Sequence, residues 1–123
     1  MLTGRCNCGG ITFTIHGPPQ DGTVCHCGQC RKQSGHVWVS TSLPHEDIAI
    51  EGHVRWYDSS PDARRGFCPT CGAFLFWQRH GSGKTSFSLG ALDQPTGLGL
   101  RRHIFVSDKG DYYQIADDLP QSP

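Results

Sequence analysis

The sequence predicts one mostly-β domain of short antiparallel strands stapled by zinc, on three observations. Sixteen glycines and eight prolines are scattered along 123 residues, which favours short strands and turns over long helices. Alternating apolar and polar residues recur in four- to six-residue runs, whereas helical periodicity is weak throughout. Seven cysteines fall in three tight clusters, Cys6 and Cys8, then Cys25, Cys27 and Cys30, then Cys68 and Cys71.

Taken in order, Ile11–Ile15 alternates as a half-buried strand does, and His16-Gly17-Pro18-Pro19 stops it. Val37–Val39, Asp47–Gly52 and Val54–Tyr57 read as further strands, with Ser59-Ser60-Pro61-Asp62 as a loop. Arg64–Phe67 leads into the Cys68-x-x-Cys71 turn. Ala73–Trp77 and Ser86–Leu89 carry the strongest β signal and are separated by Gly81-Ser82-Gly83. Arg102–Val106 is the last expected strand, Gln29–Ser34 the one short helix, and residues 118–123 a loose polar tail.

Eleven basic residues balance eleven acidic ones, which speaks against a nucleic-acid partner. No apolar run approaches the roughly 18–20 residues of a membrane span, and no charged-then-apolar leader opens the chain. Both point to the cytoplasm, where clustered thiols are more often metal ligands than disulfides, and an odd cysteine count fits a disulfide framework poorly.

Cys68-Pro69-Thr70-Cys71-Gly72 has the form of a zinc-binding turn, its glycine free to take a positive φ. A redox pair would instead open a helix in a βαβ setting. Cys68 and Cys71 need two more thiolates, and Cys6 and Cys8 are their natural partners in a closed, tetrahedral structural site. Cys25, Cys27 and Cys30 then supply three ligands, leaving the fourth position to water, a substrate thiol or His26. The competing arrangement joins this triplet to Cys71 or His26 in one structural cluster. Arg31 and Lys32 follow directly and suit either charge balance or an anionic substrate, although Lys32 alone reads as a surface charge. His16, His36, His45, His53, His80 and His103 have no ligand spacing among themselves, and only His36 lies near enough to the triplet to be considered as an acid or base. Arg64-Arg65 and Arg101-Arg102 read as solvated turn charges. The aromatics Trp38, Trp56, Tyr57, Phe67, Phe74, Phe76 and Trp77 read as core, some of them available to wall a pocket.

The order Cys6-x-Cys8-Gly9-Gly10, Cys25-His26-Cys27-x-x-Cys30-Arg31-Lys32-Gln33-Ser34-Gly35, Phe67-Cys68-Pro69-x-Cys71-Gly72, Gly90-x-Leu92-Asp93, His103-Ile104-Phe105 and Tyr113-x-Ile115-x-Asp117-x-Leu119-Pro120 resembles the glutathione-dependent formaldehyde-activating enzyme family, which also includes centromere protein V relatives. The resemblance implies an Mss4-like (β-tent) fold and two zinc ions per chain. Cys6, Cys8, Cys68 and Cys71 would hold the structural one, and Cys25, Cys27 and Cys30 the catalytic one. It further implies carbon–sulfur lyase or synthase chemistry on a small thiol adduct, S-hydroxymethylglutathione in the founding activity, with glutathione as co-substrate. Arg31, Lys32, Gln33 and Ser34 are then the expected contacts for glutathione's carboxylates and amides. Tyr112 departs from the pattern, standing where a tryptophan commonly precedes the family's C-terminal tyrosine. Two other function classes compete: a non-catalytic zinc-binding interaction module, and a redox sensor or zinc buffer using the triplet.

Overall fold

The computed structural model describes all 123 residues as ten short strands, one helix and three single 3-10 turns. The strands are β1 (Leu2–Arg5), β2 (Thr12–Ile15), β3 (Gly22–Cys25), β4 (Trp38–Pro44), β5 (Ile48–Glu51), β6 (Arg55–Ser60), β7 (Ala63–Phe67), β8 (Phe74–Arg79), β9 (Lys84–Ser88) and β10 (Leu100–Ile104); the helix α1 spans Gly28–Ser34. A small sheet runs β1-β2-β5 and a large one runs β10-β3-β4-β9-β8-β7-β6. The mostly-β, single-domain expectation holds. One pairing departs from the expected antiparallel arrangement: β10 lies parallel to β3, with Ile104 opposite Cys25.

Because side chains alternate across a strand, neighbouring rows of the large sheet do opposite jobs. One cross-strand row, Thr41–Phe87–Phe76–Gly66, faces the small sheet. There Phe76 and Phe87 are fully buried, and Phe13 of β2 meets Phe76 edge-on at 5.2 Å between ring centres. Gly66 is needed in that row, since a Cβ there would come within 2.8 Å of Val54 and 2.9 Å of Trp56. The next row, Ser42–Ser86–Trp77–Arg65, points the other way. Beside it Cys25 stands opposite Trp38. This second face is the floor of a cleft.

Four sequence expectations change. Strands β1 and β3 carried no clear alternation, because each has only four residues; β1 pairs with β2, and β3 lies between β4 and β10. Ser59 and Ser60 belong to β6, not to a loop, and pair through a bulge with β7. Tyr57, expected in the core, is left exposed on the outer strand β6. The C-terminal tail is tied down. His103 N–H donates to Pro120 O at 2.9 Å, and Ser122 N–H to His103 O and Val106 N–H to Ser122 O, both at 3.0 Å. Polar composition marked it as loose, but its backbone groups find partners along β10. No helix is long and apolar enough to cross a membrane.

Candidate metal centres and active-site cleft

Cys6 and Cys8 lie between β1 and β2, and Cys68 and Cys71 between β7 and β8, in two turns built alike. Cys6 N–H donates to Ile11 O and Cys68 N–H to Ala73 O, each at 3.0 Å. A glycine in the left-handed region follows the second cysteine of each turn, Gly9 at φ 80° and Gly72 at φ 77°. Backbone amides then face the sulfurs: Ile11 N–H lies 3.3 Å from Cys6 Sγ and Cys71 N–H 3.5 Å from Cys68 Sγ. All four sulfurs lie within 4.8 Å of one another. Cys8 Sγ sits 3.6 Å from Cys6 Sγ and 3.7 Å from Cys68 Sγ. A tetrahedral zinc with Zn–S bonds of about 2.3 Å requires sulfur–sulfur edges of about 3.8 Å, whereas a disulfide requires about 2.05 Å. The four thiols therefore fit a zinc and not a disulfide. The Ala73 and Cys8 amides draw the Cys71 thiol down to about 6. The Gly10 amide works the same way on Cys8, but the crowding Cys6 and Cys68 sulfurs push that thiol up to about 11. A shared cation removes this competition for protons.

The second cluster is assembled from a strand end and a helix start. Cys25 closes β3, Cys27 caps α1 by accepting from Cys30 N–H at 3.3 Å, and Cys30 lies in the helix's first turn. Their sulfurs also lie within 4.8 Å of one another. Arg65 of β7, only 3 % exposed, brings Nη1 and Nη2 to 3.6 and 3.7 Å from Cys30 Sγ and donates from Nη2 to Gln29 Oε1 at 3.2 Å. Its guanidinium carbon lies 5.2 Å above the Phe74 ring. No carboxylate pairs with this buried cation, so the thiolate is its counter-charge. The hydrogen bond from Cys25, then Arg65, holds the Cys30 thiol down at about 6, against the effect of burial. The same bond together with burial pushes Cys25 well above the ordinary thiol range. Three thiolates around a zinc would carry net −1, and Arg65 returns the site to neutrality. The donor set fits zinc with one coordination position left over, the arrangement of catalytic sites. Arg64-Arg65 is thus not a solvated turn pair. Arg65 is buried against sulfur, and Arg64, on the opposite face, stacks 4.1 Å over Trp56.

A cleft of about 870 Å³ opens above the triplet. Its floor is the serine–tryptophan–arginine row with Ser40, Trp38 and Ala63, and Ile104 and Phe105 also line it. Cations dominate the charged lining: Arg31, Lys32, Arg65, Arg101 and Arg102 against Asp108 alone. Asp108 is engaged, accepting from Gly28 N–H at 2.7 Å. Of the four residues expected to contact substrate, Arg31 and Lys32 line the cleft, while Gln33 and Ser34 do not. Gln33 accepts from the Tyr57 hydroxyl at 2.5 Å on the outer side of α1. Ser34 spends its hydroxyl on Cys30 O (2.7 Å) and Val37 O (3.0 Å), closing the helix end.

His26 points away from the sulfurs between which it sits, because alternation along Cys25-His26-Cys27 sends it to the rear. It is 2 % exposed and heads a buried chain. His103 Nε2 donates to Asp117, 3.0 Å from both oxygens, which leaves His103 Nδ1 to accept from His26 Nε2–H at 2.8 Å. His26 Nδ1 then accepts from the Tyr113 hydroxyl at 2.5 Å. Burial, reinforced by His103, holds the His26 pKa below its ordinary value. Both ring nitrogens are engaged, so His26 is not the fourth ligand, and His103 is no isolated histidine. His36 stands outside the cleft, 2.9 Å from the Tyr112 hydroxyl. The buried chain and the roles of Arg65, Arg101, Arg102 and Phe105 were not anticipated from sequence. The only signal for Arg65 was its phase in β7, two residues from the strand's end.

Residues 1–108 match the family model described as glutathione-dependent formaldehyde-activating enzyme. The fold is shared with the crystal structure of a Rhodobacter sphaeroides protein at 20 % identity and a TM-score of 0.63, over 75 % of this chain and 88 % of that one. No curated protein matches the chain.

Proposed function

The chain belongs to the glutathione-dependent formaldehyde-activating enzyme family, and from that premise we propose that it makes and breaks the carbon–sulfur bond between a thiol, glutathione or one like it, and a small aldehyde. The observation that carries this reading is a three-thiol cluster with a ligand position to spare, at the foot of a cleft lined mainly by cations. A zinc ion held by Cys25, Cys27 and Cys30 would supply Lewis acidity and lower the pKa of a thiol or water bound beside it.

In the synthetic direction the thiol sulfur loses its proton and its electron pair forms the bond to the carbonyl carbon. The carbonyl π pair moves to oxygen, which takes up a proton; the lyase direction reverses each transfer. Arg31, Lys32, Arg101 and Arg102 face the two carboxylates of a tripeptide thiol, a match of charge that neutral walls would not give. The hydroxyls of Ser40, Ser42 and Ser86 offer hydrogen bonds to the oxygen that gains charge. Arg65 keeps Cys30 a thiolate, and so a ligand, throughout. Cys6, Cys8, Cys68 and Cys71 would hold the structural zinc. Free, clustered thiols suit a reducing compartment such as the cytoplasm. A non-catalytic interaction module would have no use for an open thiol site beneath a cleft.

The test is native mass spectrometry of reduced protein for two zinc ions per chain, together with NMR exchange rates between free formaldehyde and its glutathione adduct. Catalysed exchange that is lost in Cys27→Ser and Cys30→Ser, both still folded, supports the reading. Catalysed exchange that survives both substitutions would overturn it.

A further inference from the structure

Phe105 is the one non-glycine residue in the left-handed region, at φ 54° and ψ 40°. That conformation is unfavourable for a bulky side chain. More than half of its surface, 54 %, also stays in water. Neither the strain nor the exposure serves folding, since a polar residue or a glycine would suit the position better. The surroundings nevertheless enforce it. Asp108 N–H donates to Phe105 O at 3.1 Å, Val106 N–H to Ser122 O at 3.0 Å, and His26 N–H to Ile104 O at 3.1 Å. The turn is bound to the thiol loop a second time through Gly28 N–H and Asp108. Phe105 is therefore fixed relative to Cys25, one residue beyond the Ile104–Cys25 pairing, and it lines the cleft.

The cleft has two chemically distinct resources. Its cations account for the carboxylates of a thiol such as glutathione. Its apolar walls, Trp38, Trp77, Ile104 and Phe105, have no use for formaldehyde, which adds one carbon and one oxygen to the sulfur. An apolar wall contributes to binding only in proportion to the apolar surface it covers.

We propose that Phe105 is a specificity-determining residue that covers an apolar or aromatic group carried on the thiol sulfur, so that the substrates of this cleft are glutathione adducts of aldehydes larger than formaldehyde. The inference rests on the reading of the cleft as a glutathione site, and the experiment separates the two. The zinc-loaded protein is titrated calorimetrically with two inert thioethers, S-methylglutathione and S-benzylglutathione. The expected result is about tenfold or more tighter binding of the benzyl compound. In Phe105→Ala that preference falls to within about twofold, with the methyl compound unaffected. Phe105→Gly suits the left-handed backbone, so it is expected to fold and to lose the preference equally. Equal affinity for the two thioethers, or a benzyl preference that survives both substitutions, overturns the role of Phe105 while leaving the glutathione reading in place. Binding of neither thioether overturns both.

Discussion

The two cysteine clusters use the same donor atom and lie in one small domain, yet their surroundings differ in kind. The four-thiol cluster is supported by backbone: paired turns, two left-handed glycines, and amides aimed at sulfur. The three-thiol cluster has one such amide, Cys30 N–H on Cys27 Sγ, and otherwise rests on side chains: Arg65 at Cys30 in front, and the His26–His103–Asp117 chain behind. Backbone support is rigid and closes every ligand position. Side-chain support leaves a position open and sets the balancing charge of Arg65, buried over Phe74, beside the sulfurs. On the proposed function, what faces the sulfurs is what separates a staple from a reaction centre.

The difference is open to attack, beginning with the largest effect. Cys68→Ser or Cys71→Ser is expected to unfold the domain, since structural zinc contributes on the order of 10 kcal/mol to the fold that holds it. Circular dichroism during chelator titration would show unfolding coincide with loss of the more tightly held metal. Cys30→Ser, by contrast, should release one metal per chain and abolish turnover while the melting temperature moves by only a few degrees. If both substitutions unfold the chain alike, the distinction between staple and reaction centre fails.

Arg65→Met tests the side-chain support directly. Removing a partner of a metal ligand typically weakens metal binding about 10–100-fold. Competition with a chromophoric chelator should show that loss at the three-thiol cluster alone, and Arg65→Lys should restore part of it. His103→Asn leaves His26 short of a buried partner and is expected to cost about 1–3 kcal/mol of stability, measured by urea denaturation, with both metals retained.

The smallest effect lies at an exposed ion pair at the end of β1. Asp93 accepts from Thr3 at 2.6 Å and pairs with Arg5 at 3.2 Å, and these contacts hold its carboxyl below the ordinary range. A depressed carboxyl stabilises the fold above its unfolded pKa and loses that contribution as pH falls through the folded one. The melting-temperature gap between wild type and Asp93→Asn should therefore be open near neutrality and narrow as pH drops below about 3.9.

The β class, most strands and both metal clusters were legible because their signals are local: alternation, glycine-punctuated turns and cysteine spacing. What the sequence hid was long-range. Arg64 and Arg65 are indistinguishable as letters, and only the register of β7 sends one onto Trp56 and the other onto Cys30. His26 lies among ligands in the sequence and behind them in space. His103 meets it only through the parallel β10–β3 pairing, which no short segment encodes, and Asp117 joins through His103. Ser34 and Gln33 sit in the right motif for substrate contact, but the helix spends the first on its own end and turns the second outward.

The separation of 35 residues between Cys30 and Arg65 also sets a schedule for the growing chain. At roughly 5–20 residues per second, the three thiols leave the ribosome some 2–7 s before the cation that neutralises them is made. For that interval they are an unshielded nucleophile cluster, open to oxidants and to any passing metal. The four-thiol cluster waits longer still, because Cys8 precedes its partner Cys68 by 60 residues.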